Sequence, residues 1–255
     1  YPTIMIFYIL TYMKMPLYII SDNHFMLESS KLEKERRKKL FKLFDKIKKT
    51  GGTLILGGDF FDFWIEFKNG IPHYYQDILD ELEILSNHKI EIHYVLGNHD
   101  YWDFGFFHKK FGAITYKNDF IFSIKNKKIL ITHGDGILKN DYLYRFMRTI
   151  LRNKIIMFLF SLIPETIGCS IAQKISSTKK KFGAKHILNT NLKEELESFA
   201  IKKFKENIDV VLMGHYHQLG IKNINNKLFI NLGDWINHFT VTKLTEQGEW
   251  KQESF

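Results

Sequence analysis

The sequence predicts a layered α/β fold. The first observation behind this prediction is a set of short apolar stretches with the length of buried strands. They are Leu17–Ile20, Thr53–Leu56, Ile92–Leu96, Ile129–Thr132, Val210–Met213 and Leu228–Leu232. The second observation is that each stretch runs into a cluster of residue types that bind metal ions. In a layered α/β protein, residues just past the carboxyl ends of neighbouring strands meet in one crevice. We therefore expect motifs far apart in the chain to build one site.

Length and composition are those of one globular domain. The chain has 255 residues and is 45% apolar, which suits a large core and disfavours disorder. We assign residues 15–255 to this domain. Residues 1–14 form an apolar extension that is too short for a membrane helix. The charge run at residues 31–40 alternates in sign and leads into apolar residues. This pattern predicts an amphipathic helix with its charges in water, rather than a nucleic-acid patch.

Polar clusters follow the predicted strands, and their residue types indicate hydrolysis of a phosphate ester or anhydride. Carboxylate, imidazole and amide oxygen favour catalytic Mn²⁺, Fe²⁺ or Zn²⁺, and the lone Cys169 excludes a cysteine site. Two cations about 3.5–4 Å apart can share one carboxylate, lower the pKa of water and neutralise a phosphoryl group. Asp59 is our candidate for the shared ligand. One cluster alone could be an ordinary polar loop. The clusters are Asp22-Asn-His24, Gly57-Gly-Asp59-Phe-Phe-Asp62, Gly97-Asn-His-Asp100, His133-Gly-Asp135, Gly214-His-Tyr-His217 and Gly233-Asp-Trp235.

The first five clusters, in this order, resemble the motifs of the calcineurin-like metallophosphoesterase superfamily. The resemblance implies a β-sandwich flanked by helices and two divalent cations, for which we expect Mn²⁺. One cation would be held by Asp22, His24, Asp59 and His217. The other would be held by Asp59, Asn98, His133 and His215.

The same resemblance assigns catalysis to His99 and the adjacent Asp100. His99 would stabilise the transition state or protonate the leaving group. The alternative is an imidazole that only borders the site. We expect Asp62 and Asp135 just outside the metal ligands, and we expect Asp100 and Asp135 to orient neighbouring imidazoles.

A helical cap, at about residues 139–190, is predicted between the fourth and fifth clusters. From residue 139 to residue 185 it contains ten Lys or Arg residues against two acidic ones, in a chain of net charge +9. Its apolar segment Ile155–Ile163 is followed by Pro164 and is too short to span a bilayer. We interpret the cap as a lid that binds acyl chains with Phe158, Leu159, Phe160 and Leu162 and anionic groups with basic residues. The alternative is a buried helical hairpin with a solvated charged face. The predicted polar substrate contacts in the cap are Arg148, Arg152, Ser177 and Lys181.

Motifs beyond those first five clusters narrow the resemblance to the UDP-2,3-diacylglucosamine hydrolases of the lipid A pathway. They are Phe63-Trp64, Tyr101-Trp102, the segment 142–148 and Asn231-Leu-Gly-Asp-Trp235. The resemblance implies cleavage of a pyrophosphate into UMP and 2,3-diacylglucosamine 1-phosphate. Members of that family carry Arg in a Gly-Asn-Arg-Asp motif, whereas this chain has His99. Histidine can release a proton near neutral pH, so the leaving-group chemistry can differ.

Other functions on the same motifs stay open. The chain could hydrolyse another nucleotide diphosphate, a phosphodiester or a nucleic acid, or it could be a protein phosphatase. A nucleic-acid enzyme should show a broader basic track with exposed aromatics, and we expect no nucleic-acid partner. A non-catalytic scaffold should have lost ligands, whereas all seven positions are filled here. We expect a cytoplasmic enzyme attached peripherally to the inner membrane, where it meets an acylated UDP-sugar.

Overall fold

The computed structural model describes residues 13–183 and 191–255, with side chains described up to residue 174 and again from residue 191. Most of the predicted N-terminal extension, residues 1–12, lies outside the described residues. Met13 is buried in the core and Thr53 donates a hydrogen bond to the Lys14 carbonyl at 2.8 Å. The folded domain therefore includes residues 13 and 14, which we had assigned to the extension.

The described chain contains two β-sheets. The first has six strands in the order β11-β10-β1-β2-β3-β4, and the second has five in the order β5-β6-β7-β9-β8. Strands β1, β2 and β3 are parallel, and so are β6, β7 and β9, so each set brings its carboxyl ends to one edge. The strands are β1 Leu17–Ile20, β2 Thr53–Leu56, β3 Glu91–Val95, β4 Ile114–Tyr116, β5 Phe120–Ile124, β6 Lys127–Thr132, β7 Val210–Met213, β8 Leu219–Ile224, β9 Lys227–Leu232, β10 Thr240–Leu244 and β11 Trp250–Ser254.

Successive side chains along a strand point to opposite faces of its sheet, and this alternation separates the core between the sheets from the helical layers outside them. In β1, Leu17 and Ile19 enter the core between the two sheets, whereas Tyr18 and Ile20 face the helices outside the first sheet. This is the two-residue period of a strand that is buried on both faces. The result is the predicted β-sandwich with helices on its outer faces. Helices α1, α2 and α3 pack on the first sheet and α7 packs on the second. The helices are α1 Lys31–Thr50, α2 Gln76–Asn87, α3 Phe106–Phe111, α4 Tyr142–Leu151, α5 Lys154–Ser161, α6 Glu165–Gly183 and α7 Leu192–Lys205.

Helix α1 corrects one prediction, because three charges from the run at residues 31–40 are buried. Glu33 and Arg36 form an ion pair at 2.5 Å, and Arg37 pairs with Glu33 at 3.1 Å and with Asp77 at 2.7 Å. Their exposed fractions are 1%, 3% and 6% for Glu33, Arg36 and Arg37. Burial is tolerated because each charge has partners from its own helix and from other segments. The helix is amphipathic, but part of its charge belongs to the interior.

The cap contains α4, α5 and α6. It is joined to the sandwich by the hydrogen bond from the Trp102 indole to the Leu151 carbonyl at 2.8 Å and by that from the Lys68 backbone N–H to the Ser161 carbonyl at 2.9 Å. Gly168 lies against the Phe67 ring, and a Cβ there would be 2.3 Å from that ring. Within the described residues, no helix has both the length and the apolar character to cross a bilayer.

Candidate active site

The strand-end loops, residues 21–25, 57–62, 97–100, 133–136, 214–217 and 233–235, meet at one edge of the sandwich. The loop after β1 runs along the loop after β2. The Asp22 N–H donates to the Gly58 carbonyl at 3.0 Å, and the His24 N–H donates to the Asp59 carbonyl at 2.9 Å. From the second sheet, the His215 N–H donates to the Asp22 carboxylate at 2.9 Å. Backbone hydrogen bonds therefore join loops that are far apart in the chain.

Backbone strain is concentrated in these loops. Non-glycine residues with positive φ are uncommon, because the left-handed region brings Cβ close to the carbonyl oxygen. Here five of the seven predicted metal ligands adopt it, and the surrounding hydrogen bonds must maintain the conformation. They are Asp22 at 52°, His24 at 44°, Asp59 at 49°, His215 at 67° and His217 at 53°.

Two glycines allow the loops to approach this closely. A Cβ on Gly97 would be 2.2 Å from the Asp59 Oδ1 atom. Gly58 has a φ of 106°, and a Cβ there would be 2.3 Å from the His133 Nδ1 atom. Any larger residue would displace a predicted ligand, so these positions require glycine.

Three groups of side chains in the described residues could each hold a metal ion. Within a group, one ligand atom from each residue lies within 4.8 Å of the others. Two of the groups contain Asp59, which is the position expected of a shared ligand. The His99 group was not predicted, since we assigned His99 to catalysis. The groups are Asp22 with His24 and His217, Asp59 with His133 and His215, and His24 with Asp59 and His99.

Individual distances place Asp59 between the two predicted sites. Its Oδ2 atom is 3.2 Å from His133 Nε2 and 3.7 Å from His24 Nε2. The predicted amide ligand also lies here, because the Asn98 Oδ1 atom is 3.3 Å from His133 Nε2. His217 Nε2 lies 3.8 Å from an oxygen of Asp22. The structure thus brings together all seven residues predicted to bind metal.

The electrostatics of the site fit bound divalent cations. Burial lowers the pKa of His133, but the Asp59 carboxylate outweighs it and raises that pKa to about 10. Burial would raise the pKa of Asp59, yet His133 and His99 hold it well below its usual value. Burial, together with the nearby His133, lowers the pKa of His215 to about 3. These carboxylates and imidazoles lie so close together that positive charge is needed between them. Protons on the side chains supply that charge, and divalent cations would supply it once those protons leave.

Asp62 and His99 form one side of the site. The His99 Nδ1–H donates to the Asp62 carbonyl at 2.6 Å, and the His99 backbone N–H donates to Asp59 Oδ1 at 2.8 Å. The Asp62 carboxylate is 3.6 Å from His24 Nδ1 and 3.7 Å from His99 Nδ1. Asp62 therefore lies beside two imidazoles, as expected for a residue just outside the ligands.

Asp100 and Asp135 have other partners than the imidazoles we expected them to orient. The buried Asp100 accepts from the backbone N–H groups of Phe60 and Gly97, each at 2.7 Å, and from the Tyr94 hydroxyl. It joins two strand-end loops to β3, so it shapes the site without reaching into it. Burial and the nearby Asp59 raise its pKa to about 6.

Asp135 binds the cap. Its carboxylate accepts from Arg148 and Arg152, each at 3.0 Å, and from the Tyr144 hydroxyl at 3.2 Å. Arg152 also lies over the Tyr101 ring at 4.1 Å. The two arginines that we predicted as substrate contacts therefore lie beside the site, paired with a strand-end carboxylate.

The buried Asp234 orients an imidazole, a role that we had not assigned to it. Its Oδ2 atom is 3.2 Å from His217 Nδ1 and 3.0 Å from His238 Nδ1. Its Oδ1 atom accepts three backbone N–H groups from residues 236–238. Burial raises the pKa of Asp234, but the hydrogen bond from His217 and those backbone donors outweigh it and lower that pKa. The sequence signal was available, because Asp234 follows a predicted strand as the other clusters do.

An apolar cavity of about 190 Å³, here called the His99 cavity, adjoins the polar site. The cap contributes Leu151, Ile156, Phe160 and Ala172. Of the predicted acyl-chain contacts, Phe160 lines this cavity, whereas Phe158 and Leu162 do not and are 61% and 46% exposed. The helical period places Phe158 on the opposite face of α5 from Phe160. The side chains of Ser177 and Lys181 lie outside the described residues. The cavity is lined by Asp62, Phe63, Trp64, Asn98, His99, Trp102, Leu151, Ile156, Phe160 and Ala172.

Comparison with known families agrees with this geometry. The profile of the family described as Calcineurin-like phosphoesterase matches residues 15–219, which is most of the chain. The chain belongs to the calcineurin-like phosphoesterases. It is a metal-dependent hydrolase, and its sandwich and its grouped metal-binding residues agree with that membership.

Curated relatives named UDP-2,3-diacylglucosamine hydrolase cover most of the chain. One from Haemophilus influenzae (strain PittGG) is 27% identical and covers 91% of this chain and 96% of its own. One from Proteus mirabilis is 31% identical over 68% of this chain and 71% of its own. One from Histophilus somni is 30% identical over 84% of this chain and 93% of its own.

Proposed function

We propose that the chain hydrolyses the pyrophosphate of UDP-2,3-diacylglucosamine to UMP and 2,3-diacylglucosamine 1-phosphate. The observation that carries the proposal is that the residues predicted to bind metal ions, and through them a phosphate, adjoin an apolar cavity. Asp62, Asn98 and His99 belong to the strand-end loops and also line the His99 cavity. A substrate with phosphates next to acyl chains matches this juxtaposition. The names of the curated relatives support the same substrate.

The chain's own residues would bind and align this substrate. Asp22, His24, Asp59 and His217 would hold one cation, and Asp59, Asn98, His133 and His215 the other. We propose Mn²⁺ for both, because mixed carboxylate, amide and imidazole ligands suit it. When bound, the two cations lower the pKa of water and neutralise charge on the attacked phosphoryl group. Trp102, Ile156 and Phe160 would exclude water from the acyl chains.

His99 would act on the phosphate that leaves. Its Nδ1–H is donated to the Asp62 carbonyl, so a protonated His99 carries its second N–H on Nε2. Water attacks the α-phosphorus, the bond to the bridging oxygen breaks, and the lipid 1-phosphate departs. Because that phosphate is already a good leaving group, charge stabilisation matters more here than proton donation.

The test is hydrolysis of UDP-2,3-diacylglucosamine by the chelator-stripped protein resupplied with Mn²⁺, Mg²⁺ or Zn²⁺, with identification of both products. We expect UMP and lipid 1-phosphate, fastest with Mn²⁺, no turnover by Asp59→Ala, and a milder loss in His99→Ala. UDP-N-acetylglucosamine and bis(p-nitrophenyl) phosphate are the comparison substrates. Turnover of the generic ester alone would contradict the lipid assignment.

We also propose that the enzyme works on the cytoplasmic face of the inner membrane. The cytoplasmic location rests on the nucleotide character of the proposed substrate. Attachment is supported by an outer face of the cap, whose apolar side chains are 41–73% exposed and follow a helical period on α4 and on α5. The exposed Lys139 and Lys154 flank it. The outer face consists of Leu143, Phe146, Met147, Ile150, Ile155, Phe158, Leu159 and Leu162.

A further inference from the structure

A second cavity, here called the Asp135 cavity, adjoins the metal-binding residues. It has a volume of about 710 Å³ and lies where β3, β4 and β6 end and β5 begins, next to the cap arginines Arg148 and Arg152. Ligand pockets for small molecules have volumes of about 300–1,000 Å³, so it has room for a substrate part. His133 lines this cavity, whereas Asn98 lines the His99 cavity. These two side chains are 3.3 Å apart, so the two cavities begin at one pair of predicted ligands.

The linings of the two cavities differ in chemistry. Among the residues that line the His99 cavity, Asp62 is the only one with a charged carboxylate or a basic Lys or Arg side chain. The Asp135 cavity has four cationic side chains against two carboxylates, together with aromatic rings. Tyr116 and Phe120 stack at 4.0 Å with an angle of 20° between their planes. The charged residues are Lys117, Arg148, Arg152, Lys203, Asp119 and Asp135.

An anionic ligand that bears a flat polar ring fits this lining. Aromatic side chains stack on the faces of nucleic-acid bases, and Arg and Lys attract phosphates. Arg148 and Arg152 are anchored by Asp135, and their side chains are 30% and 21% exposed. The ion pairs with Asp135 therefore hold both guanidinium groups in place, and they present positive charge beside the residues predicted to bind metal.

We propose that the Asp135 cavity, rather than the smaller His99 cavity, binds the nucleoside monophosphate half of the substrate. The inference rests on the proposed function for the identity of the two halves. The scissile bond would then lie between the cavities, next to Asn98 and His133. This division also gives Arg148 and Arg152, which we predicted as polar substrate contacts, a role toward the UMP phosphate.

The test uses UMP as a probe of the protein loaded with Zn²⁺, followed by NMR, so that it does not depend on turnover. UMP should bind, and the double variant Lys117→Ala/Lys203→Ala should weaken binding about tenfold or more, because two cationic side chains are lost. Ile121→Trp, which fills the same cavity, should do the same. Lys222→Ala is the matched control, because this exposed lysine lies on β8 away from the cavity, and UMP binding should not change.

Kinetics separate this inference from the proposed function. In Lys117→Ala/Lys203→Ala, the KM for UDP-2,3-diacylglucosamine and the inhibition constant of UMP should rise about tenfold. In the control Lys222→Ala, hydrolysis of the acylated substrate and of bis(p-nitrophenyl) phosphate should both stay unchanged. If the wild type does not cleave the acylated substrate, the proposed function fails. Suppose instead that the wild type cleaves it. The division of the cavities is then overturned if both cavity variants bind UMP as the wild type does. It is also overturned if UMP binds no better than inorganic phosphate.

Discussion

The strand-end loops and the cap deviate from the usual distribution of side chains in opposite directions. The loops bury polar groups, with Asp22 and Asp100 0% exposed, whereas the outer face of the cap exposes residues such as Leu143 at 73%. Buried carboxylates are costly unless they are paired, and large exposed apolar patches usually mark an interaction site. Buried carboxylates lower the stability of the protein, and exposed apolar side chains lower its solubility. Because both features are unfavourable for the folded protein alone, each indicates a function. The loops are suited to metal ions, and the outer face of the cap is suited to an apolar partner.

Loss of the Arg36 guanidinium should have the largest effect, because the loops depend on it. It donates to the carbonyls of His24 and Trp235, each at 3.3 Å, and to that of Asn23, and it pairs with Glu33. We expect Arg36→Met to lower the free energy of unfolding by about 3–5 kcal/mol, because it leaves a buried carboxylate underpaired. Urea unfolding measures this.

The control for that prediction is Lys38→Met, on the same helix but 65% exposed at its side chain. It should change the free energy of unfolding by no more than about 0.5 kcal/mol. Equal effects of the two substitutions would show that the buried charge of Arg36 is no more important to stability than a charge at the surface.

A smaller effect is expected from Asp234→Asn, which tests whether polar support of a ligand matters to the reaction. The change removes the negative charge beside His217 while keeping an oxygen for the backbone donors. We expect a roughly 10- to 100-fold loss of metal affinity or activity, as is typical when the partner of a ligating imidazole is changed. Metal titration and phosphoesterase assays measure it. The control is His238→Ala, because His238 also contacts Asp234, and this variant should retain nearly full metal affinity. Equal losses of metal affinity in the two variants would disprove that Asp234 orients His217 for binding.

The smallest effect concerns the outer face of the cap. Phe158→Ser/Leu159→Ser should reduce binding to anionic phospholipid vesicles about tenfold, because each such side chain contributes about 1.5–3 kcal/mol when fully buried and less at an interface. Hydrolysis of bis(p-nitrophenyl) phosphate should not change. Ile84→Ser, a partly exposed residue on α2, is the control. Vesicle co-sedimentation that is unaffected by the double variant would mean that the outer face serves another purpose.

Much of the fold was predictable because the strands are short and apolar and end in polar clusters. The predicted bounds of β1, β2 and β7 agree with the structure, and those of β3, β6 and β9 differ by one or two residues. That the predicted metal ligands lie close together was predictable for the same reason, since parallel strands carry their ends to one edge. Asp234 could have been found by applying this rule to the sixth cluster.

Orientation within the cap was not predictable from the sequence. In α5, Ile156 and Phe160 are as apolar as Phe158 and Leu159, and the helical period shows only which of them share a face. Which face meets the sandwich depends on Trp102 and Phe63, whose rings pack against Phe160 at 5.2 and 6.2 Å. The predicted acyl-chain contacts are therefore divided between two faces of the cap, with Phe160 at the His99 cavity and Phe158 on the outer face.

By itself, the sequence determined the reaction class, the residues available to bind metal and the presence of a basic, apolar cap. These depend on residue types and on the alternation of strands with polar clusters, which are local properties. Only the tertiary structure decided that Asp135 holds cap arginines, that Glu33 and Arg36 are interior charges, and that two unlike cavities begin at Asn98 and His133. These depend on packing between distant segments, because the environment of a charge or an apolar face is set by the neighbours that folding brings to it.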